Sequence, residues 1–462
     1  MPYTTVNEGF ERASRLGHSQ AAIRAIADQT SFHVPAEHLG DTTWLAPLIR
    51  QRSEFPVPDD ATRLPSALAI DGSHTVVRER DGLPSVVYGY AQAAAAYVDL
   101  TIMASQRAER FVDPVAIEAA VNTALISLDL PTAGAYARAG IDITTSWRES
   151  LDHLFRTKRV EVNRINQALV DLLFLLHGQP GNAAAVVPVN CPACHTLDQA
   201  VPRSGTTCVC GAQLYPTDVL RIHEEVVEEG TNETALGRLM SVIELLVLVG
   251  LTTLLWEQSR DVLLCSTLFI IDGPLGMFGT PAKLRLQAEN YFQSMCASTP
   301  ASAPYICGIE KSGAMVDYAS QLVQHDVLKP GELLTCDHQV IAAVTNSADP
   351  TTYGKDTYWG RKFVYRALDG RVVVLTVVPP TGSAYDANGG QPDPAAYPTL
   401  PAILDVIDRT GSSMYRNGVI PVAIAHGRAA FPIGVGTDVL RMVALRKLGL
   451  DPAPAAAGSA AS

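Results

Sequence analysis

Apolar positions along the chain fall into a few runs of strand length and several longer helical stretches. Two of the short runs are nearly alike, Ser66-Ala-Leu-Ala-Ile-Asp71-Gly-Ser73 and Leu268-Phe-Ile-Ile-Asp272-Gly-Pro274. Each is an apolar stretch that closes on an aspartate and turns at once on a glycine. Asp-Gly occurs four times, at Asp71, Asp81, Asp272 and Asp369, and only Asp71 and Asp272 close an uninterrupted apolar run. A strand followed by an ordinary turn accounts for either one alone. Two such carboxylates that converge would instead form a site for divalent metal ions.

The same pattern gives an organisation for the rest of the chain. A helical stretch, Glu8–Gln29, dominates residues 1–60, a segment suited to docking a partner. Strands Ala67–Ile70, Val76–Arg80 and Ser85–Tyr90 read as a meander starting at Asp71. Residues 91–180 read mostly as helix, with Arg156–Leu176 alternating charged and apolar faces before Gly178-Gln-Pro-Gly181. A long helix is expected over Glu233–Glu257 and another over Pro281–Cys296. Strands follow at Lys362–Arg366 and Val372–Val378, then a Gly/Pro/Asp loop at Gly382–Tyr397. A final unit, Thr399–Leu450, ends in a helix, and 451–462 is an Ala/Pro/Ser tail expected to be disordered. The implied division is 1–60, 61–185, an insert at 186–215, 216–450 and the tail.

A third acid changes the weight of the first two. The helix around Gly237–Gly250 is apolar almost all the way round and should be buried. From Leu239 to Trp256, Glu244 is its only ionisable residue. A lone buried carboxylate costs several kcal/mol unless it is paired or protonated. Arg238 is one available partner; a metal shared with Asp71 and Asp272 is the other. Hard cations take oxygen ligands, and a scissile phosphate supplies the remaining oxygens.

Composition adds constraints. The chain has 462 residues, 47% of them hydrophobic, with 30 prolines, as in an ordinary globular protein. Met1–Gly17 carries Glu8, Glu11, Arg12 and Arg15 without an apolar core, unlike a signal peptide. The longest apolar run, Leu245–Leu255, is short for a bilayer, so a soluble, cytoplasmic protein with no membrane role is expected. The net charge of −12 weighs against a broad nucleic-acid surface. Any DNA-handling role would need a local basic groove or affinity borrowed from a partner.

Of eight cysteines, Cys265, Cys296, Cys307 and Cys336 are scattered and expected as buried thiols. Cys191-Pro-Ala-Cys194 and Cys208-Val-Cys210, separated by 13 residues, read as a tetrahedral structural zinc site, with His195 as an alternative ligand. Four protein ligands leave no open position for catalysis. Arg203 is the only cation from Ala183 to Val219, and the acidic run Glu224–Glu229 follows, so the insert suits stapling or partner docking better than DNA binding.

Taken in order, Ile70-Asp-Gly-Ser73, Gly237-Arg-x-Met240-x-x-x-Glu244, Ile270-Ile-Asp-Gly273, Gly308-Ile-Glu-Lys-Ser312, Tyr358-Trp-Gly-Arg-Lys-Phe-Val-Tyr365 and Ile424-Ala-His426 resemble the NurA nuclease family over roughly residues 60–445. The resemblance implies an α/β fold with an RNase H-like mixed sheet and flanking helices, here carrying a small zinc-ribbon-like insert. It also implies a homodimer, manganese- or magnesium-dependent cleavage of DNA, and a hexameric HerA-type ATPase as partner, in DNA end processing or anti-phage defence. On this resemblance Asp71, Glu244 and Asp272 would be metal ligands. His426 would be a proton donor or phosphate contact, and Lys311 a backbone-phosphate contact or an electrostatic stabiliser. Tyr358, Arg361 and Lys362 would line a DNA channel or form a solvated basic face. Where the family often has a tyrosine after the second Asp-Gly, this chain has Phe278.

Two other classes stay open at this level. One is a catalytically silent scaffold that docks the ATPase, against which the retention of all three acids speaks. The other is a metal-dependent phosphatase or nucleotidase using the same acids. No Gly-x-x-x-x-Gly-Lys-Ser/Thr loop is present, so the chain itself is not expected to be an ATPase.

Overall fold

The computed structural model describes residues 41–60, 62–80, 86–108, 120–162, 165–259, 262–300, 303–345, 357–379, 393–411, 418–431 and 435–449. The expected helix Glu8–Gln29, the tail 451–462 and most of the loop Gly382–Tyr397 lie outside these residues.

In chain order the strands are β1 (Ile49–Gln51), β2 (Ser66–Arg80), β3 (Val86–Asp99), β4 (Val121–Ala133), β5 (Arg159–Val162), β6 (Ile165–Ala168), β7 (Val186–Val189), β8 (Gln199–Pro202), β9 (Thr206–Thr207), β10 (Gln213–Leu214), β11 (Thr267–Asp272), β12 (Tyr305–Glu310), β13 (Glu332–Thr335), β14 (Arg361–Arg366) and β15 (Val372–Val377). The helices are α1 (Leu100–Ala108), α2 (Ile143–Thr157), α3 (Leu169–Leu176), α4 (Glu233–Ser259), α5 (Leu284–Ala297), α6 (Ala314–Gln324), α7 (His338–Thr345), α8 (Leu400–Arg409), α9 (Ile420–Ala429) and α10 (Val435–Lys447).

Nine strands form one mixed sheet in the order β1-β13-β14-β15-β12-β11-β2-β3-β4. β2, β3 and β4 run antiparallel in series, while β11 lies parallel to both β2 and β12. The succession β4-β3-β2-β11-β12 is that of an RNase H-like sheet, and the protein is a mixed α/β fold as its sequence predicts.

Alternation along the strands sorts side chains to two cores. Leu68, Ile70, Phe269, Ile271 and Ile306 face α2, α3, α4 and α5. Ala67, Ala69, Leu268, Ile270, Cys307 and Ile309 face α8 and α9. Each large aliphatic buried this way contributes ~1.5–3 kcal/mol. Asp71 and Asp272 share the parity of the second set and so lie on the α9 side.

α4 is buried through most of its length, and its two inner threonines satisfy their hydroxyls within the helix. Thr252 donates to Leu248 O at 2.7 Å and Thr253 to Val249 O at 2.6 Å. By length and composition this helix could cross a membrane, but here it is mostly covered by the protein.

The structure departs from the expected elements in three places. β2 does not stop at Asp71; it continues through Gly72 to Arg80, paired with β3 throughout, because Thr75, Val76 and Val77 favour extended backbone. The expected helical stretch after residue 90 begins as strand, through Asp99, and resumes as strand at Val121. Ala91–Ala96 has helix-forming composition, but it sits between α4 on one face and α9 on the other. The expected helix Arg156–Leu176 is split: α2 ends at Thr157, the β5–β6 hairpin intervenes, and α3 covers only Leu169–Leu176. Among the scattered cysteines, Cys296, Cys307 and Cys336 are buried, whereas Cys265 is partly exposed.

Candidate metal centre

β2 and β11 pair in parallel with Ile70 beside Ile271, which places Asp71 and Asp272 next to each other on the same face. The two strands reach that point differently. Asp272 ends β11, and the chain leaves the sheet on Gly273, whose φ of 135° a residue with a side chain would rarely adopt. Asp71 is held mid-strand, paired with Ala94 of β3 just beyond the point where pairing with β11 ends at Ile70. Both carboxylates are largely buried, at 7% and 10% side-chain exposure.

α9 brings His426 over this pair. Its Nδ1 donates to Asp71 Oδ2 at 2.7 Å and lies 3.8 Å from Asp272 Oδ2, while the ring is 64% exposed. One oxygen from each aspartate and a ring nitrogen of His426 lie within 4.8 Å of one another. Lys311, the first residue after β12, pairs with Asp272 from the other side. Gln92 and Ser73 fix the helix that carries His426. Gln92 Nε2 donates to Ala429 O at 2.5 Å and Ser73 Oγ donates to the same carbonyl. Sequence reading missed Gln92, although a lone amide in the run Ala91–Ala96 was a visible signal.

Glu244 approaches from the opposite face of the sheet. It meets β2 at Gly72, whose backbone N–H hydrogen-bonds its carboxyl. A Cβ on Gly72 would lie 2.6 Å from Glu244 Oε1 and 2.7 Å from Met240 Cγ. The glycine is therefore what lets α4 press its acid against the strand. Gly72→Ala is expected to displace Glu244 and cost ~1–3 kcal/mol, read as a lower midpoint in urea unfolding. An unchanged midpoint would mean the approach is looser than this. Arg238, the other available partner for Glu244, is taken by Glu225 at 3.5 Å.

Burial is the main cause that raises the pKa of Glu244, which lies well above the carboxylate range; the charges of Asp71 and Asp272 add to it. Asp272 is pushed up to about 7, first by burial and then by Asp71, against the opposing pull of Lys311. Crowded acids that resist ionising alone are suited to a cation that neutralises them together. The donors are carboxylate oxygens, a set fitting Mn2+ or Mg2+ better than a soft metal.

Glu310 and the Tyr358–Lys362 segment occupy a different place from the one expected. Lys362 is fully buried, pairs with Glu310 and lies 4.3 Å from the Tyr358 ring centroid; Arg361 is buried too. Neither cation forms a solvated face or lines an open channel. Phe278 sets its ring edge-on to Tyr358 at 5.6 Å.

The four clustered cysteines converge in the insert. Cys191 Sγ and Cys210 Sγ are 3.7 Å apart, and Cys194 Sγ and Cys208 Sγ 3.6 Å. Sulfurs at ~2.3 Å from a tetrahedral zinc are separated by ~3.8 Å, whereas a disulfide would bring them to ~2.05 Å. Each pair sits on a tight turn, with Gly211 N–H donating to Cys208 O and His195 N–H to Cys191 O. His195 is not part of the cluster, which among the described residues consists of the four cysteines. The β7–β8 and β9–β10 hairpins carry the turns, and Val187, Val189, Val201 and Leu214 join the main core. Arg148 of α2 holds the insert by donating to Gln213 O at 2.6 Å and secures the segment that follows with two 2.7 Å bonds to the buried Asp218. Arg203 pairs with Asp171 and covers the Phe174 ring at 4.5 Å.

No known protein-family profile matches the chain, and no curated protein matches it. Among solved structures, the crystal structure of the NurA nuclease from Sulfolobus solfataricus matches at a TM-score of 0.37 and 11% identity, over 93% of this chain and 94% of that one. A likeness that distant bears on neither activity nor substrate.

Proposed function

We propose that this chain is a metal-dependent DNA nuclease that hydrolyses phosphodiester bonds, with Asp71 and Asp272 holding Mn2+ or Mg2+ and Glu244 supporting them from across Gly72. The observation that carries the reading is the side-by-side placement of Asp71 and Asp272 on parallel neighbours, beneath His426 and beside Lys311. Bound there, a divalent cation supplies Lewis acidity for attack on a phosphate. Around it, the chain's own groups have distinct tasks. Lys311 offsets charge building on the phosphoryl oxygens. His426, anchored through Nδ1 to Asp71, presents Nε2 to contact the phosphate or, as the imidazolium, to give a proton to the leaving oxygen. Glu244, across Gly72, adds negative charge that strengthens cation binding.

The ordered motifs from Ile70 to His426 support a homodimer working with a HerA-type hexameric translocase, in end processing or phage defence. The net charge of −12 fits an enzyme that receives DNA from a motor. The cysteine geometry supports a structural Zn2+ in the insert.

The test is cleavage of labelled single- and double-stranded DNA with manganese, with and without a HerA-type ATPase, comparing the protein with Asp71→Ala. Cleavage lost on the order of 10³-fold or more in the variant is expected. Equal cutting by both, or none by the unaltered protein under every condition, would remove the nuclease reading.

A further inference from the structure

A cleft of about 760 Å³ opens beside the carboxylate pair, between α6 and α9, and shares Lys311 and His426 with it. Its volume falls in the ~300–1,000 Å³ range of small-ligand pockets. Beyond those two rim residues the walls change character. Val316 of α6, Val419, Val422 of α9 and Ile309 give it apolar lining. Along one side of α6, Asp317, Ser320 and Gln324 recur at helical spacing and line it; the Ser320 hydroxyl donates back to Val316 O at 2.9 Å.

From this arrangement we infer that the cleft is a subsite for one unpaired nucleobase, that of the nucleotide next to the scissile phosphate; the inference rests on the nuclease reading. Continuity fixes the occupant. A phosphate held at Asp71 and Asp272 places the neighbouring base at the rim marked by Lys311 and His426. Apolar walls suit the faces of a base, which packs between apolar side chains in a pocket. Asp317 would repel a second phosphate, but it can accept from an exocyclic amine, and Gln324 can both donate and accept. A base that presents its edge to α6 cannot also be paired. The substrate class is therefore single-stranded DNA or a frayed end, and blunt duplex must be opened first.

The experiment is titration calorimetry of the full chain with Mn2+. The probes are 5′-dCMP and 3′-dCMP, whose base carries an exocyclic amine, and 2-deoxyribose 5-phosphate, which lacks the base. At least one nucleotide is expected to bind ~10-fold or more tightly than the sugar phosphate, and Ser320→Trp, which fills the cleft, is expected to erase that difference. Equal binding of all three probes to the unaltered protein would overturn the subsite without recourse to any variant. So would a Ser320→Trp protein, folded by thermal melting, that keeps the full preference. Hydrolysis of bis(p-nitrophenyl) phosphate, which carries no base, judges the catalytic reading separately. Its absence alongside a base-dependent affinity would retain the subsite and remove the nuclease chemistry.

Discussion

Asp272→Asn is expected to abolish manganese-dependent cleavage while making the metal-free protein more stable. The loss follows from removing one of two adjoining carboxylate ligands, an effect on the order of 10³-fold or more. The gain follows from electrostatics. The carboxyl of Asp272 has a pKa of about 7 in the folded protein against 3.8 when unperturbed, chiefly because it is buried and beside Asp71. A raised folded value means that the native state holds the proton more tightly than the unfolded chain. Stability from this group is therefore complete below pH ~4 and is lost as pH rises toward ~7. Asparagine carries no charge and escapes that loss, so the variant should lead by on the order of 2–4 kcal/mol at pH 8 and by little at pH 4. Lys311 loses its partner, but it is 41% exposed and water can solvate it at small cost. Manganese should reverse the ranking by stabilising only the unaltered protein, and its affinity should climb through pH 7 as Asp272 ionises. Thermal melts at three pH values, with and without manganese, measure all of this. Metal-free stabilities that stay equal from pH 4 to pH 8 would show that the carboxylates are not under strain.

The second large effect concerns the insert. Cys208→Ser is expected to remove one equivalent of zinc per chain and to lower stability by several kcal/mol, even though the cluster plays no part in the chemistry. β9 and β10 are two-residue strands, and such hairpins do not hold without a staple. Their collapse would not stay local. Leu214, Val201 and Cys208 itself belong to the core that contains Leu236 and Leu239 of α4, and Arg148 would lose the ordered segment that presents Asp218. Metal analysis of the purified protein and its melting temperature after chelation give the result. A zinc-free protein with an unaltered melt would reduce the insert to a loop with incidental thiols.

How far the sequence reached depends on the kind of signal. Asp71-Gly72 and Asp272-Gly273 were visible because an acid closing an apolar run is rare, and Glu244 because it stands alone in an apolar helix. Yet a turn at Asp71 was the wrong expectation, since glycine there answers to the close approach of Glu244, not to a bend. Local propensity also misled at Ala91–Ala96. Alanine favours helix in isolation, and nothing local announces that α4 and α9 will close on both faces and admit only small side chains. The Lys362–Glu310 pair was illegible for a related reason. A lysine in a β-strand reads as solvated, and only the neighbouring strands show that it is enclosed. Contacts between distant elements decide such positions, and short motifs do not record them.

The acid in the middle of α4 also matters before the protein has folded. During translation, Glu233–Ser259 emerges as an apolar helix long enough to be mistaken for a membrane anchor. Near its midpoint stands Glu244, and an ionised group at that depth is penalised by ~2.5–3.5 kcal/mol in insertion. The strands that will cover the helix, β2 and β3, precede it in the chain and can receive it. The same carboxylate thus sorts the nascent helix toward a protein interior and away from lipid, and a leucine in its place would withdraw that instruction.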